Sequence, residues 1–234
     1  MLQQTTPGGL TTIRQIVVCL PDGRTDRLDV SVPGYPGKPV PASVYTVANG
    51  RLGRASRMFT SDLIGVRSSR GVAGTAAGGR LGRLDLHTTK EIAWYDAMLR
   101  YEAWQLAVEG TPTAKPWPSF LARHVAAPEK YNRVTAWDEF TYQPRVLAMI
   151  VHNECGGEYP LDVLDLELFQ AGAEAYGRTS ALRRICGDAF INPRGKLIRP
   201  EGAAAPARLN YLANVRRVID ELPSSQWLVA LSLP

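Results

Sequence analysis

The first 66 positions alternate between short apolar runs and polar breaks, which is the pattern of β-strands. IRQIVVCL (13–20) is one such run, and TDRLDVSV (25–32) alternates between apolar and polar residues in its second half. Because PDGR separates these segments, we predict that they form a hairpin. The connector 33–41 contains four prolines, so we predict extended or turn geometry there.

A second hairpin is predicted around Asn49-Gly50, roughly 43–48 with 51–59, because a type I′ turn needs positive φ at both central positions. The next stretch, RSSRGVAGTAAGGRLGR (67–83), fits no regular pattern. It has five glycines, four arginines and no acid. We predict a flexible loop that becomes ordered on a partner, followed by a short strand at LDLH (84–87).

A long helix is predicted after residue 87. Thr88 and Glu91 form the capping-box pattern T-x-x-E, and Gly110 ends the helix. Two apolar stripes at helical spacing predict burial on two sides. The first stripe is Ile92, Tyr95, Leu99 and Leu106, and the second is Trp94, Met98, Tyr101 and Val108.

The segment TPTAKPWP (111–118) is a proline-rich linker, and the chain beyond it has mainly helical patterns. The predicted helices are 119–126, 136–154 bent or split at Pro144, 160–176, 180–190, and Pro206 to about Leu222. INPRG (191–195) is predicted to be a turn. WLVALSL (227–233) is predicted to be a strand that returns to the amino-terminal sheet.

These elements predict an α+β fold. An N-terminal antiparallel sheet of β-hairpins carries one long buried helix, and a mainly helical C-terminal part follows. The predicted domains are a β-rich basic domain with the long helix (1–110), the linker (111–118) and a mainly helical region (119–234). At 45% hydrophobic and 21% charged residues, the composition is that of a globular protein with a core.

The cysteines and the length of the apolar runs predict the cellular location of the protein. Cys19, Cys155 and Cys186 are far apart and outside any CxxC pattern, so we predict reduced, buried thiols and no zinc site. The amino terminus lacks the features of a signal peptide. The longest apolar run, 146–151, is too short to span a membrane. We therefore expect a cytoplasmic protein without a membrane partner.

The charge is unevenly distributed along the chain, whose formal net charge is +5. Seven arginines and one acid, Asp62, lie between Arg51 and Arg83. Nine basic residues and two acids lie between Arg178 and Arg217, whereas 146–177 has six acids and no lysine or arginine. This separation favours a polyanionic partner more than the net charge alone does.

Arginine dominates both basic segments, and its guanidinium fork fits phosphate oxygens. The neighbouring glycines would let backbone N–H groups approach a ligand. We therefore predict a nucleic-acid clamp whose residues are Arg51, Arg54 and Arg57 on the second hairpin with Arg67, Arg70, Arg80 and Arg83 on the loop. A second contact surface is predicted from Arg183, Arg184, Arg194, Lys196 and Arg199. The nearest aromatic residues for base stacking are Tyr35, Tyr45 and Phe59.

Catalytic patterns are lacking in the sequence. GVAGTAAGGR resembles a phosphate-binding loop, but Arg80 and Leu81 stand where a Walker A loop needs lysine and a hydroxyl residue. The three histidines form no catalytic or metal-ligand pattern. Cys155 is expected at a helix carboxyl end, which does not favour a thiolate. We predict no enzymatic activity, no catalytic or metal-binding residues and no cofactor.

The function predicted from sequence is that of a non-enzymatic nucleic-acid-binding subunit of a larger nucleoprotein complex. Its protein partners would dock on the acidic segment 154–174, and the nucleic acid could be RNA or DNA. One alternative is that the basic surface meets an acidic protein. Another is a structural protein of a virion or similar assembly, whose loop packs on neighbouring copies. The last is a metal-dependent nuclease that uses Glu154, Asp162, Asp165 and Glu167.

Overall fold

The computed structural model of the protein describes residues 14–20, 39–48, 60–69 and 72–233. It confirms the predicted α+β architecture, with strands and one long helix followed by further helices. The strands are β1 Gln15–Leu20, β2 Val40–Pro41, β3 Tyr45–Val47, β4 Leu63–Ile64, β5 Arg67–Ser69, β6 Val72–Ala76, β7 Gly78–Arg80, β8 Leu84–Asp85, β9 Ala189–Ile191, β10 Leu197–Ile198 and β11 Trp227–Ser232. The α-helices are α1 Leu86–Ala107, α2 Trp117–Ala126, α3 Arg133–Thr141, α4 Pro144–Glu154, α5 Leu166–Gln170, α6 Ala173–Cys186 and α7 Ala205–Asp220.

The contacts within the chain define two compact units. The sheet unit comprises 12–93, 179–201 and 209–234, and the helical unit comprises 1–11, 94–178 and 202–208. The segment 111–118 lies inside the helical unit. The division predicted from sequence, into 1–110, a linker at 111–118 and 119–234, stays a prediction.

A seven-stranded sheet forms the centre of the sheet unit, in the order β10-β9-β1-β11-β7-β4, with β2 also paired to β11. Strand β11 runs antiparallel to both β1 and β7, and β9 runs parallel to β1. The prediction that 227–233 returns to the amino-terminal sheet is therefore confirmed. Strand β1 is paired on both sides; its predicted hairpin partner, 25–32, lies outside the described residues.

Both faces of this sheet are buried. Val17 and Cys19 of β1 pack on one face against Ile185 of α6 and Leu212 of α7, among other side chains. The intervening Ile16, Val18 and Leu20 belong to a separate cluster on the opposite face. Burial on both faces explains why the apolar residues of β1 are continuous instead of alternating.

The prediction of a flexible loop at 67–83 is wrong, because the described part of this segment forms strands β5, β6 and β7 and a 3₁₀ turn. Strands β5 and β6 pair in a second sheet, ordered β5-β6-β3-β8, and β7 joins the large sheet directly after Ala77. Strand β3 pairs with both β6 and β8. Its predicted hairpin partner, 51–59, and the turn Asn49-Gly50 lie outside the described residues.

The glycines of β7 are required by close approach of neighbouring strands. A Cβ atom on Gly78 would lie 2.2 Å from the carbonyl oxygen of Leu228 in β11. One on Gly79 would lie 2.4 Å from the carbonyl oxygen of Asp62. These glycines therefore serve strand packing and not the close approach of a ligand.

Helix α1 begins at Leu86, ahead of the predicted capping residue Thr88. Asp85 caps it instead: its carboxylate accepts the Thr88 N–H at 2.9 Å and the Thr88 hydroxyl at 2.8 Å. The backbone N–H of Thr88, followed by its hydroxyl, lowers the pKa of Asp85. Gly110, with φ +73°, follows the helix as predicted.

The predicted burial of α1 on two sides is also wrong. Tyr95 and Leu106, from the first predicted stripe, are 61% and 76% exposed. The buried positions include Ala93, Ala97 and Trp104. Small alanines therefore form much of the packed face, and one apolar stripe lies on the surface.

An aromatic stack lies at the centre of the helical unit. Trp104 stacks on Phe169 with ring centroids 5.2 Å apart, and Phe169 stacks on Tyr176 at 4.2 Å. All three side chains are buried. Stacked aromatic rings add to the stabilisation that their burial provides.

Three predicted helices of the carboxyl-terminal half are found close to their expected positions: α2, the pair α3 and α4 split before Pro144, and α7. The predicted helix 160–176 is wrong. It is interrupted at Gly172, whose φ is +104°, so that α5 and α6 are separate. The predicted helix 180–190 ends at Cys186, and 189–191 is a strand.

Candidate nucleic-acid interface

Four of the predicted nucleic-acid contacts, Arg51, Arg54, Arg57 and Arg70, lie outside the described residues. Arg67 is exposed on β5, the edge strand of the second sheet. Along the outer edge of β5 the backbone groups have no partner strand within this sheet. A partner can therefore approach the exposed Arg67 from that edge.

Arg80 and Arg83 share a single carboxylate. Arg80 Nε lies 3.1 Å from Asp62 Oδ1, and Arg83 Nε lies 3.5 Å from Asp62 Oδ2. Both arginine side chains are more than one third exposed. The shared aspartate holds both guanidinium groups at the end of β7.

Arg194 and Lys196 are exposed in the turn between β9 and β10, which confirms the turn predicted at 191–195. The side chain of Asn192 holds this turn: its Oδ1 accepts the N–H groups of Arg194 and Lys196, each at 3.0 Å. Gly195 has φ +74°, a conformation that favours glycine. Among the residues that the structure describes, no carboxylate forms an ion pair with Arg194 or Lys196.

The strand registers bring these two groups to the same end of the large sheet. Arg80 is opposite Trp227, and Trp227 is opposite Leu20, the last residue of β1. The turn 192–196 follows β9, which runs parallel to β1 and ends opposite Val18. We call Arg80, Arg83, Arg194 and Lys196 the cationic sheet end.

The other predicted contacts are placed differently. Arg183 Nε donates to Oδ1 of the buried Asp188 at 2.6 Å, and Asp188 Oδ2 accepts the N–H groups of Arg14 and Gln15. Arg183 therefore helps to fix the start of β1. Arg184 is half-buried, and Arg199 is exposed just after β10.

The predicted base-stacking residue Tyr45 is fully buried. Its hydroxyl donates to the Ile185 carbonyl at 3.3 Å, and the Tyr211 hydroxyl donates to the Cys186 carbonyl at 3.0 Å. Two buried phenols thus satisfy carbonyls at the end of α6, so Tyr45 stabilises the fold and cannot stack on a base. Tyr35 and Phe59 lie outside the described residues.

Three of the four acids considered for a nuclease have other partners, and Glu154 is exposed. Asp165 Oδ1 accepts from Arg208 Nη1 at 2.6 Å, Glu167 Oε2 accepts the Ala205 N–H at 2.8 Å, and Asp162 caps the turn at Leu164. Over residues 14–20, 39–48, 60–69 and 72–233, no three His, Cys, Asp or Glu side chains are grouped to hold a metal ion.

Two of the three cysteines are buried, as predicted, but Cys155 is exposed. Burial raises the pKa of Cys19 and of Cys186 to about 12. A thiol with so high a pKa keeps its proton at neutral pH, so neither cysteine is suited to act as a nucleophile.

Because of these two buried thiols, we expect the free energy of unfolding to decrease at alkaline pH. Above the ordinary thiol pKa of 9.0 the unfolded chain loses protons that the folded chain keeps until about pH 12. The free energy of unfolding should therefore fall by about 1 kcal/mol for each thiol between pH 9.0 and pH 10.0, because the unfolded thiols are only partly ionised in that range. Urea unfolding of the protein and of a Cys19→Ala/Cys186→Ala variant, between pH 9.0 and the ordinary tyrosine pKa of 10.0, measures this fall. Equal pH dependence in both proteins would contradict the assignment, and Cys155→Ala is the control.

The formal charge of the chain follows the division into units. The sheet unit contains 19 lysines and arginines against 10 aspartates and glutamates, a net charge of +9. The helical unit contains 8 against 12, a net charge of −4. The charge separation seen along the sequence is thus also a separation between two folded units.

Comparison with protein-family models, curated proteins and solved structures found no match for the chain. In the part of the chain that the structure describes, no helix has both the length and the apolar character needed to cross a membrane.

Proposed function

We propose that the protein is a non-enzymatic nucleic-acid-binding subunit of a larger nucleoprotein complex. The observation that carries the proposal is the cationic sheet end, where exposed arginine and lysine side chains from separate chain segments lie at one end of the sheet of a unit with net charge +9. Arg67 is proposed as a further contact, together with Arg51, Arg54, Arg57 and Arg70. Arg184 and Arg199 are proposed as contacts at the margin of the binding surface.

Phosphate binding is the chemistry that this arrangement supports best. Guanidinium groups donate two parallel hydrogen bonds to phosphate oxygens, and each neutralised phosphate releases a counterion. Arg194 and Lys196 start without an ion pair to a described carboxylate, so a phosphate has no internal partner to displace there. The free thiols suit a cytoplasmic location, where cysteines stay reduced.

The test is filter binding of a labelled nucleic acid over a series of salt concentrations. Binding should weaken steeply with salt, and Arg194→Glu/Lys196→Glu should lower the slope of log K against log salt by about 2. The matched control is Lys115→Glu/Lys130→Glu, which changes the net charge equally at exposed positions of the helical unit.

Two results would count against the proposal. A weak response that does not change with salt would show that phosphate contacts do not drive binding. An equal loss of affinity in the control would show that only net charge matters, and that the cationic sheet end has no particular role.

We further propose that protein partners contact the helical unit, through the acidic segment 154–174. Glu154 and Glu158 are exposed there, whereas Glu174 pairs with Arg178 at 2.6 Å. The same unit also exposes large apolar side chains, including Tyr142 at 76%. Exposed apolar side chains beside carboxylates are suited to a protein neighbour.

A structural assembly protein is the second candidate, because opposite charges on the two units could join successive copies. Sedimentation of the purified protein without nucleic acid distinguishes the two functions. Ordered homopolymers that dissociate in high salt would favour the assembly protein, and a species of fixed small size would favour the nucleic-acid-binding subunit.

A further inference from the structure

Two groups of cations lie at the cationic sheet end, one on each side of the central strands. Arg80 is the last residue of β7 and Arg83 ends the 3₁₀ turn after it, whereas Arg194 and Lys196 follow β9. Strands β9 and β7 are separated by three steps in the order β9-β1-β11-β7. Since neighbouring strands are about 4.8 Å apart, the ends of β9 and β7 that carry the two groups are roughly 14 Å apart.

This separation is close to the width of a duplex groove, which is about 12 Å for the major groove of B-form DNA. Two cationic groups at this distance can each contact one of the phosphate backbones that border a groove. A flexible single strand offers no second backbone at a fixed distance. The spacing therefore favours a double-stranded ligand.

Before a ligand binds, an ion pair holds the side chains of one group, and hydrogen bonds fix the backbone of the other. The Asn192 side chain fixes the turn that carries Arg194 and Lys196, and Asp62 holds Arg80 and Arg83. Fixed cations suit a stiff ligand whose phosphates are themselves fixed, and duplex DNA is stiff over about 150 base pairs. Such preorganisation lowers the entropy lost on binding.

The described part of the sheet unit exposes no aromatic ring on which a base could stack. The tyrosine, tryptophan and phenylalanine side chains described in the sheet unit are Tyr45, Phe190, Tyr211 and Trp227, and each is at most 6% exposed. Proteins that bind single strands rely on exposed aromatic rings on which successive bases stack. The described part of this unit offers charge without such rings.

We infer that the ligand of the cationic sheet end is a double-stranded nucleic acid, held by phosphate contacts on both sides of one groove and without base stacking. This inference rests on the proposed function and specifies its ligand. Readout of sequence is not part of it, because phosphate contacts position a protein without identifying bases.

The experiment measures fluorescence anisotropy with three labelled probes of one sequence: a DNA duplex, one of its strands, and the corresponding RNA duplex. At equal salt we expect a duplex to bind at least about tenfold more tightly than the strand, because its higher charge density releases more counterions. Arg80→Gln and Arg194→Gln/Lys196→Gln, tested separately, should each reduce duplex affinity, since each removes contacts on one side of the groove. Either duplex exceeding the strand supports the inference, and the comparison of DNA with RNA identifies which groove width is used.

The possible failures are distinguishable. Equal or tighter binding of the single strand, with a steep salt dependence, would overturn the double-stranded ligand and leave the proposed function standing. Loss of affinity in only one of the two variants would overturn contact on both sides of a groove. No binding of any probe would reject the proposed function itself.

Discussion

Replacing Gly78 with alanine is expected to lower the free energy of unfolding by about 3 kcal/mol or more. The added methyl group would lie 2.2 Å from the Leu228 carbonyl oxygen and 2.7 Å from the Val229 Cα atom. Both are backbone atoms of β11, so a side-chain rotation cannot relieve the overlap. Strands β7 and β11 would have to separate, which would break the ladder that joins β4 and β7 to the rest of the sheet.

Urea unfolding followed by circular dichroism measures this loss, and Gly74→Ala is the matched control. A methyl group on Gly74 meets only the Arg67 carbonyl oxygen at 3.7 Å, an ordinary contact, and Gly74 lies in the same continuous chain segment as Gly78. The control should change stability by less than about 1 kcal/mol, since only intrinsic strand preference is altered. Equal stabilities for the two variants would disprove the close approach of β7 and β11.

Arg208→Met is expected to cost about 3–5 kcal/mol, because it leaves the carboxylate of Asp165 buried without its cation. Arg208 Nη1 lies 2.6 Å from Asp165 Oδ1, and the two side chains are 10% and 8% exposed. Arg208 Nη2 also donates to the Leu164 carbonyl at 3.3 Å. The variant therefore loses hydrogen bonds as well as a buried ion pair.

The control for this prediction is Arg178→Met, which breaks an ion pair of the same length on the surface. Arg178 Nε lies 2.6 Å from Glu174 Oε1, but both side chains are more than 60% exposed, so the cost should stay below about 1 kcal/mol. Asp165→Leu/Arg208→Met should recover much of the loss, since it removes both buried charges. If the double variant is no more stable than Arg208→Met, the buried charge of Asp165 is not the cause.

Local patterns in the sequence identified the elements that depend on neighbouring residues. The apolar run of β1, the turn at 191–195 and the break at Pro144 were all predicted at or near their observed positions. In each, the determining feature is a residue type that acts within its own segment: consecutive apolar side chains, the Asn192 amide, or the ring of a proline.

The errors occur where distant segments decide the structure. Gly78 and Gly79 suggested a mobile loop, but their role depends on β11 and on Asp62, which the local sequence does not reveal. In α1 the conspicuous Tyr95 and Leu106 are exposed, while the small residues Ala93 and Ala97 are buried. Close packing favours a small side chain at these two positions. Alanine contributes little to the hydrophobic periodicity from which a buried helix face is predicted.

The candidate interface was predictable in its chemistry but not in its arrangement. The arginine-rich segments were evident, yet only the strand order places Arg80 and Arg194 at the same end of one sheet. Arg183 was predicted as a contact, although Asp188 lies shortly after the end of α6 and holds its guanidinium. The position of Asp188, five residues after Arg183, was the sequence feature that indicated a structural ion pair.

The position of β11 has a consequence for how the protein is made. This strand joins β1 to β7, although the ribosome synthesises it after every other strand of the sheet. Until β11 emerges, the nascent chain has one unpaired edge on β1 and another on β7, and unpaired edges promote aggregation. The large sheet is therefore completed only after β11 has been translated. We expect the growing chain to depend on chaperones that shield strand edges.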